Sequence, residues 1–201
     1  MGIVIKSARE IEIMRQAGRI VAETLASLGD KVRPGVSTRE LDDLAYRIIT
    51  RQGATPSFKG YRGYPASLCA SINDEVVHGI PDKRVLKEGD IVSLDVGAYY
   101  KGFHGDAAVT VPVGRVSGQV QALLDACQAG LASGIAAARA GARLGDISSA
   151  VQKTVESRGF SVVREYSGHG VGRDLHEEPL VPNYGQPNQG VLLQPGMTLA
   201  L

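Results

Sequence analysis

The sequence predicts an α+β fold built from two similar halves, about residues 1–115 and 116–201. Three observations predict it. Residues 90–113 hold two runs rich in Val and Ile around Tyr100-Lys101-Gly102, the pattern of a β-hairpin. Two stretches of helical periodicity, each opened by a capping box, precede that hairpin. The order helix, helix, strand, strand then returns about 106 residues later, which suggests an internal duplication.

Ser7-Ala8-Arg9-Glu10 is the first capping box, and Ile11, Met14, Ile20, Val21, Leu25 and Leu28 follow at helical spacing, with Gly29 as the expected end. Arg33-Pro34-Gly35-Val36 reads as a turn. Ser37-Thr38-Arg39-Glu40 opens a second helix through Leu41, Leu44, Ala45, Ile48 and Ile49, closed by Gly53. Residues 54–65 are an aromatic, Gly-rich loop. A strand is expected from Ser67 to Ile72, a turn at Asn73-Asp74-Glu75, and then the hairpin. The second half offers helices from Gln119 to about Ala140 and from Asp146 to about Ser157, then a strand from Phe160 to Tyr166. Residues 33–53 align with 139–159 at an offset of 106, and 87–94 with 194–201 at an offset of 107. The chain stops at Leu199-Ala200-Leu201, inside an apolar run after a Pro-Gly turn, which reads as a strand cut short and hence as a fragment.

Composition narrows the function classes. The chain has 201 residues, 43% hydrophobic and 21% charged, with a net charge of +1. That is ordinary for a globular protein and gives no field suited to nucleic acid or an anionic membrane. Cys69 and Cys127 form neither a metal-type spacing nor a disulfide framework. The N-terminus lacks a signal-peptide core, and no apolar run approaches the roughly 20 residues of a membrane span. A soluble cytoplasmic protein is expected.

The hairpin carries the chemistry. With its turn centred between Tyr100 and Lys101, paired residue numbers sum to 201, and Asp95 faces Asp106. Like charges directly opposite repel. A divalent cation between them offsets that, and a solvated hairpin with two exposed aspartates, or a register off by one, is the plain alternative. His169, between Gly168 and Gly170, could complete such a site. Oxygen-rich donors with one nitrogen suit Mn, Fe, Co or Zn, and two bridging carboxylates suggest a pair of ions. Taken alone, each histidine reads as structural or exposed rather than functional. His104 could orient Asp106, Glu177-Glu178 reads as a solvated loop, and Tyr61 and Tyr64 are either core or the wall of a pocket.

Residues 60–69, Gly-Tyr-Arg-Gly-Tyr-Pro-Ala-Ser-Leu-Cys, and 71–81, Ser-Ile-Asn-Asp-Glu-Val-Val-His-Gly-Ile-Pro, resemble type I methionine aminopeptidase. So do Asp95, Gly102-Phe103-His104-Gly105-Asp106, Gly168-His169-Gly170-Val171-Gly172 and His176-Glu177-Glu178-Pro179, from about residue 7 to the end. The resemblance implies the pita-bread fold: two pseudo-symmetric α/β halves, a central curved antiparallel sheet and a dinuclear metal site. It makes Asp95, Asp106 and His169 metal ligands and His78 and His176 the histidines that contact substrate. Tyr61, Tyr64, Cys69, Phe58 and Leu175 become walls of the methionine pocket, with Phe58 and Leu175 standing where relatives often carry other residues. The cofactors implied are two divalent ions (Co, Mn, Fe or Zn).

The implied activity is excision of N-terminal methionine from nascent polypeptides with a small second residue, by a monomer working near the ribosome. The family has two further glutamate ligands, the first expected at position 202, and the final strands are missing here. With three of five ligands, this chain is expected to bind metal weakly and to be poorly active. An X-prolyl aminopeptidase-like peptidase and a metal-free pita-bread binding protein are the alternatives.

Overall fold

The computed structural model describes residues 2–201. The chain divides into two compact units: Glu10–Ser117, and Gly118–Leu201 with residues 2–9.

In the first unit, helices α1 (Ala8–Lys31) and α2 (Thr38–Arg51) precede strands β1 (Thr55–Pro56), β2 (Leu68–Ile72), β3 (Ile91–Tyr100) and β4 (Phe103–Pro112). The sheet is antiparallel, with β3 pairing β1, β2 and β4. Alternation along β3 decides its faces. Val92, Leu94, Val96 and Ala98 are fully buried and join Leu68, Ala70 and Ile72 against Ile20, Val21 and Leu28 of α1 and Leu41, Ala45 and Ile49 of α2. Ser93, Asp95, Gly97 and Tyr99 therefore lie on the other face.

Helix α2 starts at the expected capping box: Glu40 N–H donates to Ser37 Oγ (3.3 Å), and Ser37 N–H donates to Glu40 Oε2 (2.9 Å). Gly53, at φ 71°, closes it. Helix α1 runs past Gly29 to Lys31, two residues beyond its expected end. A glycine in helical conformation does not stop a helix whose hydrogen bonds continue, here from Val32 N–H to Leu28 O (3.0 Å).

The second unit holds α3 (Gly118–Ala137), α4 (Leu144–Glu156) and the antiparallel strands β5 (Ser167–Gly170), β6 (Glu177–Pro182) and β7 (Leu199–Ala200), in the order β6-β5-β7. Leu144, Ile147, Val181 and Leu193 form its core. Residues 160–166 form no strand. Most of them are exposed, and the carbonyls of Val163 and Tyr166 accept from the Asn183 side chain (2.9 and 3.2 Å) rather than from a neighbouring strand.

The units repeat each other's hydrogen bonds. Gly35 N–H donates to Leu86 O (2.9 Å) and Leu86 N–H to Val36 O (2.8 Å). Gly141 N–H donates to Leu193 O (3.0 Å) and Leu193 N–H to Ala142 O (2.8 Å). The β-bridge Ser37↔Val85 recurs as Arg143↔Leu192. Arg143 N–H donates to Asp146 Oδ2 (2.7 Å), matching Ser37 and Glu40, so the N3 carboxylate is kept where the N-cap hydroxyl is not.

Candidate active site

The β3–β4 turn is Lys101-Gly102, with φ of 47° and 91°. A two-residue hairpin turn of type I′ needs positive φ at both central positions, and Gly102 takes the second without strain. The turn therefore sits one residue later than Tyr100-Lys101, and paired numbers sum to 203, as in Tyr100↔Phe103. Asp95 faces Ala108 and Asp106 faces Gly97, so the aspartates are not opposite one another. A shift of two in the sum keeps both on the same face. They are diagonal neighbours, at a typical separation of about 7–8 Å between backbones.

Cys69 of β2 faces Asp95 from the other side. Burial pushes its thiol up to about 12; the hydrogen bond with Tyr64 pulls it back, and the charges of Asp95, Asp106 and Asp42 push it further. Both carboxylates thus bear on one buried thiol. Oδ1 of Asp106 is shut off from solvent.

Tyr64 is half-buried, its hydroxyl 3.0 Å from both Leu68 O and Gly79 O, and burial raises its pKa. Phe58 is buried, and its Cε1 fills the space a Cβ on Gly97 would need (2.9 Å). Tyr61 is half-buried at the start of a short 3₁₀ turn, Tyr61–Gly63. Four of the five expected pocket residues thus cluster around the aspartate face or the loop leading into it. Leu175, in the other unit, is buried.

His78 is exposed and held at φ 62°, which is uncommon for a residue with a side chain. Its neighbour Gly79 is clamped onto β2. Ala70 N–H donates to Gly79 O (2.9 Å), and Gly79 N–H donates to Ser71 Oγ (3.0 Å). A Cβ on Gly79 would lie 2.3 Å from Ala70 O, so only glycine permits this approach.

In the second unit, His169 lies on β5 opposite Leu180 and Ala200, with a bulge between it and Gly170. Its Nδ1 lies 2.8 Å from the carbonyl oxygen of Gly170. A carbonyl only accepts, so Nδ1 carries the proton and the ring's lone pair is on Nε2, the arrangement typical of a metal-ligating imidazole. The His176 ring is tilted against that of His169, centroids 4.3 Å apart.

Two expectations need correction or extension. Glu177 is not a solvated loop residue: its side chain is 8% exposed and pairs with Lys6, while Glu178 is exposed as expected. His104 Nδ1 meets Ser57 Oγ at 2.8 Å, and its ring lies 4.6 Å from that of Tyr99. Neither Lys6 nor Ser57 carries a sequence signal, because both meet partners distant in the chain.

Hard oxygen donors on one face suit a divalent cation, and the donor chemistry of Asp95 and Asp106 fits one. They supply two donors; among the described residues, no group of three His, Cys, Asp or Glu side chains is gathered to hold a metal ion.

An α+β chain whose two units repeat each other, one bearing a carboxylate pair and the other a histidine pair, has the pita-bread architecture of a class of metal-dependent peptidases. The profile of metallopeptidase family M24 matches residues 12–201, and the chain belongs to that family. It is 55% identical to methionine aminopeptidase 1 of Bacillus subtilis over 199 residues, covering 99% of this chain and 80% of that protein. The crystal structure of methionine aminopeptidase from Thermotoga maritima superposes with a TM-score of 0.97 at 48% identity, covering 98% of this chain and 80% of that one. That of Rickettsia prowazekii gives 0.95 at 41% identity, covering 98% and 79%.

Proposed function

We propose that this chain is a methionyl aminopeptidase: it hydrolyses the first peptide bond of polypeptides that begin with methionine. The observation that carries the reading is the aspartate pair on one face of β3–β4, beside Cys69 and Tyr64, in a chain 55% identical to a methionine aminopeptidase. The X-prolyl and metal-free alternatives lose ground to that identity and to the retained carboxylates.

The likeness to metallopeptidase family M24, rather than a gathered three-residue cluster, supports Asp95, Asp106 and His169 as the residues that would hold the divalent ions, two in number and drawn from Co, Mn, Fe or Zn. When bound, such ions polarise the scissile carbonyl and make water a better nucleophile near neutral pH. The chain's own groups do the rest. His176 donates a hydrogen bond to the oxygen that gains charge as the carbonyl is attacked. His78 holds the scissile amide nitrogen side, presented by the Gly79 clamp. Tyr61, Tyr64, Cys69, Phe58 and Leu175 wall an apolar pocket, which favours an unbranched thioether side chain. The substrates are nascent chains in the cytoplasm with a small second residue, met at the ribosome, and the enzyme acts as a monomer.

The test is methionine release from Met-Ala-Ser, with Ala-Pro-Ser as the competing substrate, under added Co, Mn, Fe or Zn. Release from the first alone, lost in Asp95→Ala and Asp106→Ala, supports the reading. Cleavage of the second alone, or release that ignores metal and both substitutions, refutes it.

A further inference from the structure

We infer that Lys6 and Glu177 form a buried positioning pair that sets the orientation of His176, an inference that rests on the peptidase reading above. The side chains of Lys6 and Glu177 are 2% and 8% exposed. Hiding two charges from water is costly and often adds nothing to stability over apolar side chains of similar size. A pair kept in such a place is best explained by what it holds in register.

Every atom of the Glu177 carboxylate is engaged. Oε2 takes the Lys6 ammonium, and Oε1 accepts the N–H groups of Arg173 (2.8 Å) and Asp174 (3.3 Å). The loop between the two histidines thus wraps around its own last side chain. Gly172 N–H closes the loop on Asp174 O (3.1 Å). There is no spare room, since a Cβ on Gly172 would lie 2.4 Å from Glu177 Oε1 and 2.6 Å from Lys6 Cε. At the loop's far end, the Glu177 backbone pairs with Gly170, directly after His169.

His176 immediately precedes Glu177 and is itself exposed. Its direction is therefore set through the backbone that Glu177 ties down. Lys6 arrives on a segment anchored separately. Lys6 N–H donates to Gly196 O (2.8 Å), and its Nζ donates to Val4 O (3.2 Å). The segment before α1 acts as a strap that brings a cation under the histidine loop. The contact between the rings of His169 and His176 is the local signature of correct placement.

The experiment compares the full chain with Glu177→Gln, Lys6→Met, Lys6→Arg and the double variant Lys6→Met/Glu177→Gln. Two readouts are taken at a temperature where circular dichroism shows each variant folded. One is kcat and KM for Met-Ala-Ser. The other is the nuclear Overhauser contact between the His169 and His176 rings in metal-free protein. The double variant buries no net charge and is the one that folds if the single variants do not. Expected is a fall in kcat of tenfold or more with KM within twofold, and loss of the ring contact, in Glu177→Gln, Lys6→Met and the double variant. Lys6→Arg, which restores the charge in a crowded site, recovers part of both relative to Lys6→Met, and the double variant is no worse than the worse single. A folded double variant with wild-type kcat and ring contact, whatever its melting temperature, overturns the inference. Wild-type protein that releases no methionine overturns the peptidase reading instead, and the ring contact then still decides the role of the pair.

Discussion

Gly79→Ala tests the chain of argument from close packing to chemistry. The added methyl would sit 2.3 Å from Ala70 O, where ordinary contact begins at 3.4 Å, so the segment must retreat by about 1 Å. That retreat stretches three hydrogen bonds, Ala70 N–H to Gly79 O, Gly79 N–H to Ser71 Oγ, and Tyr64 hydroxyl to Gly79 O. At about 1 kcal/mol each, the loss is about 3 kcal/mol. The stiffer unfolded chain returns about 0.4–1 kcal/mol. A net cost of about 2 kcal/mol lowers Tm by about 4–8 °C in a chain of this size. His78 moves with its neighbour, and a misplacement of about 1 Å at a positioning group costs on the order of 10²-fold in rate. The assay is calorimetry beside kcat/KM on Met-Ala-Ser. Gly29→Ala is the control: it lies within α1 with nothing within 4 Å of its would-be Cβ, and it should stabilise by about 0.5–1 kcal/mol. A Gly79→Ala protein with unchanged Tm and rate would falsify the clamp.

Three further outcomes are expected. Asp42 accepts the N–H groups of Ser67 (2.7 Å) and Leu68 (2.9 Å), and burial raises its pKa above 3.8. The folded state thus holds this proton longer than the unfolded chain, and its contribution to stability is present below pH 3.8 and lost as pH rises through the folded value. Asp42→Asn keeps the acceptor and should flatten that loss in denaturant titrations across acid pH, whereas Asp42→Ala strands two buried N–H groups at about 1–3 kcal/mol each. Cys69, its thiol pushed up to about 12, should react with iodoacetamide at about pH 8 roughly 10³-fold more slowly than an unperturbed thiol. Mass spectrometry of tryptic peptides reads this, and comparable rates would contradict it. Dialysis against a chelator should abolish methionine release and a divalent cation should restore it; activity that survives exhaustive chelation would argue against a metallopeptidase.

Local rules made much of this molecule legible. The Ser37–Glu40 box and Gly53 marked α2 at both ends, since each is a short-range hydrogen-bond device. The repeat was visible because both units use the same turns around Gly35 and Gly141. The same-face placement of Asp95 and Asp106 holds for a turn at Tyr100-Lys101 or at Lys101-Gly102, because only the parity of the pairing decides it. What was illegible depends on distant partners. Residues 160–166 look like a strand by composition, but Asn183 takes their carbonyls. Glu177 looks solvated until Lys6, 171 positions away, is placed beside it. Ser57 and His104 likewise meet only in the folded chain.

The Lys101-Gly102 bend has a consequence for descent. Inserting or deleting one residue there, with no bulge to absorb it, would invert the pleat of β4 against β3, turning Asp106 toward the oily layer under α1 and α2 and leaving Asp95 alone on the opposite face. Changes in pairs would preserve both acids on the face turned away from the helices. Length drift in this hairpin is therefore stepwise, with odd steps open only to a lineage that adds a bulge to keep the two acids together.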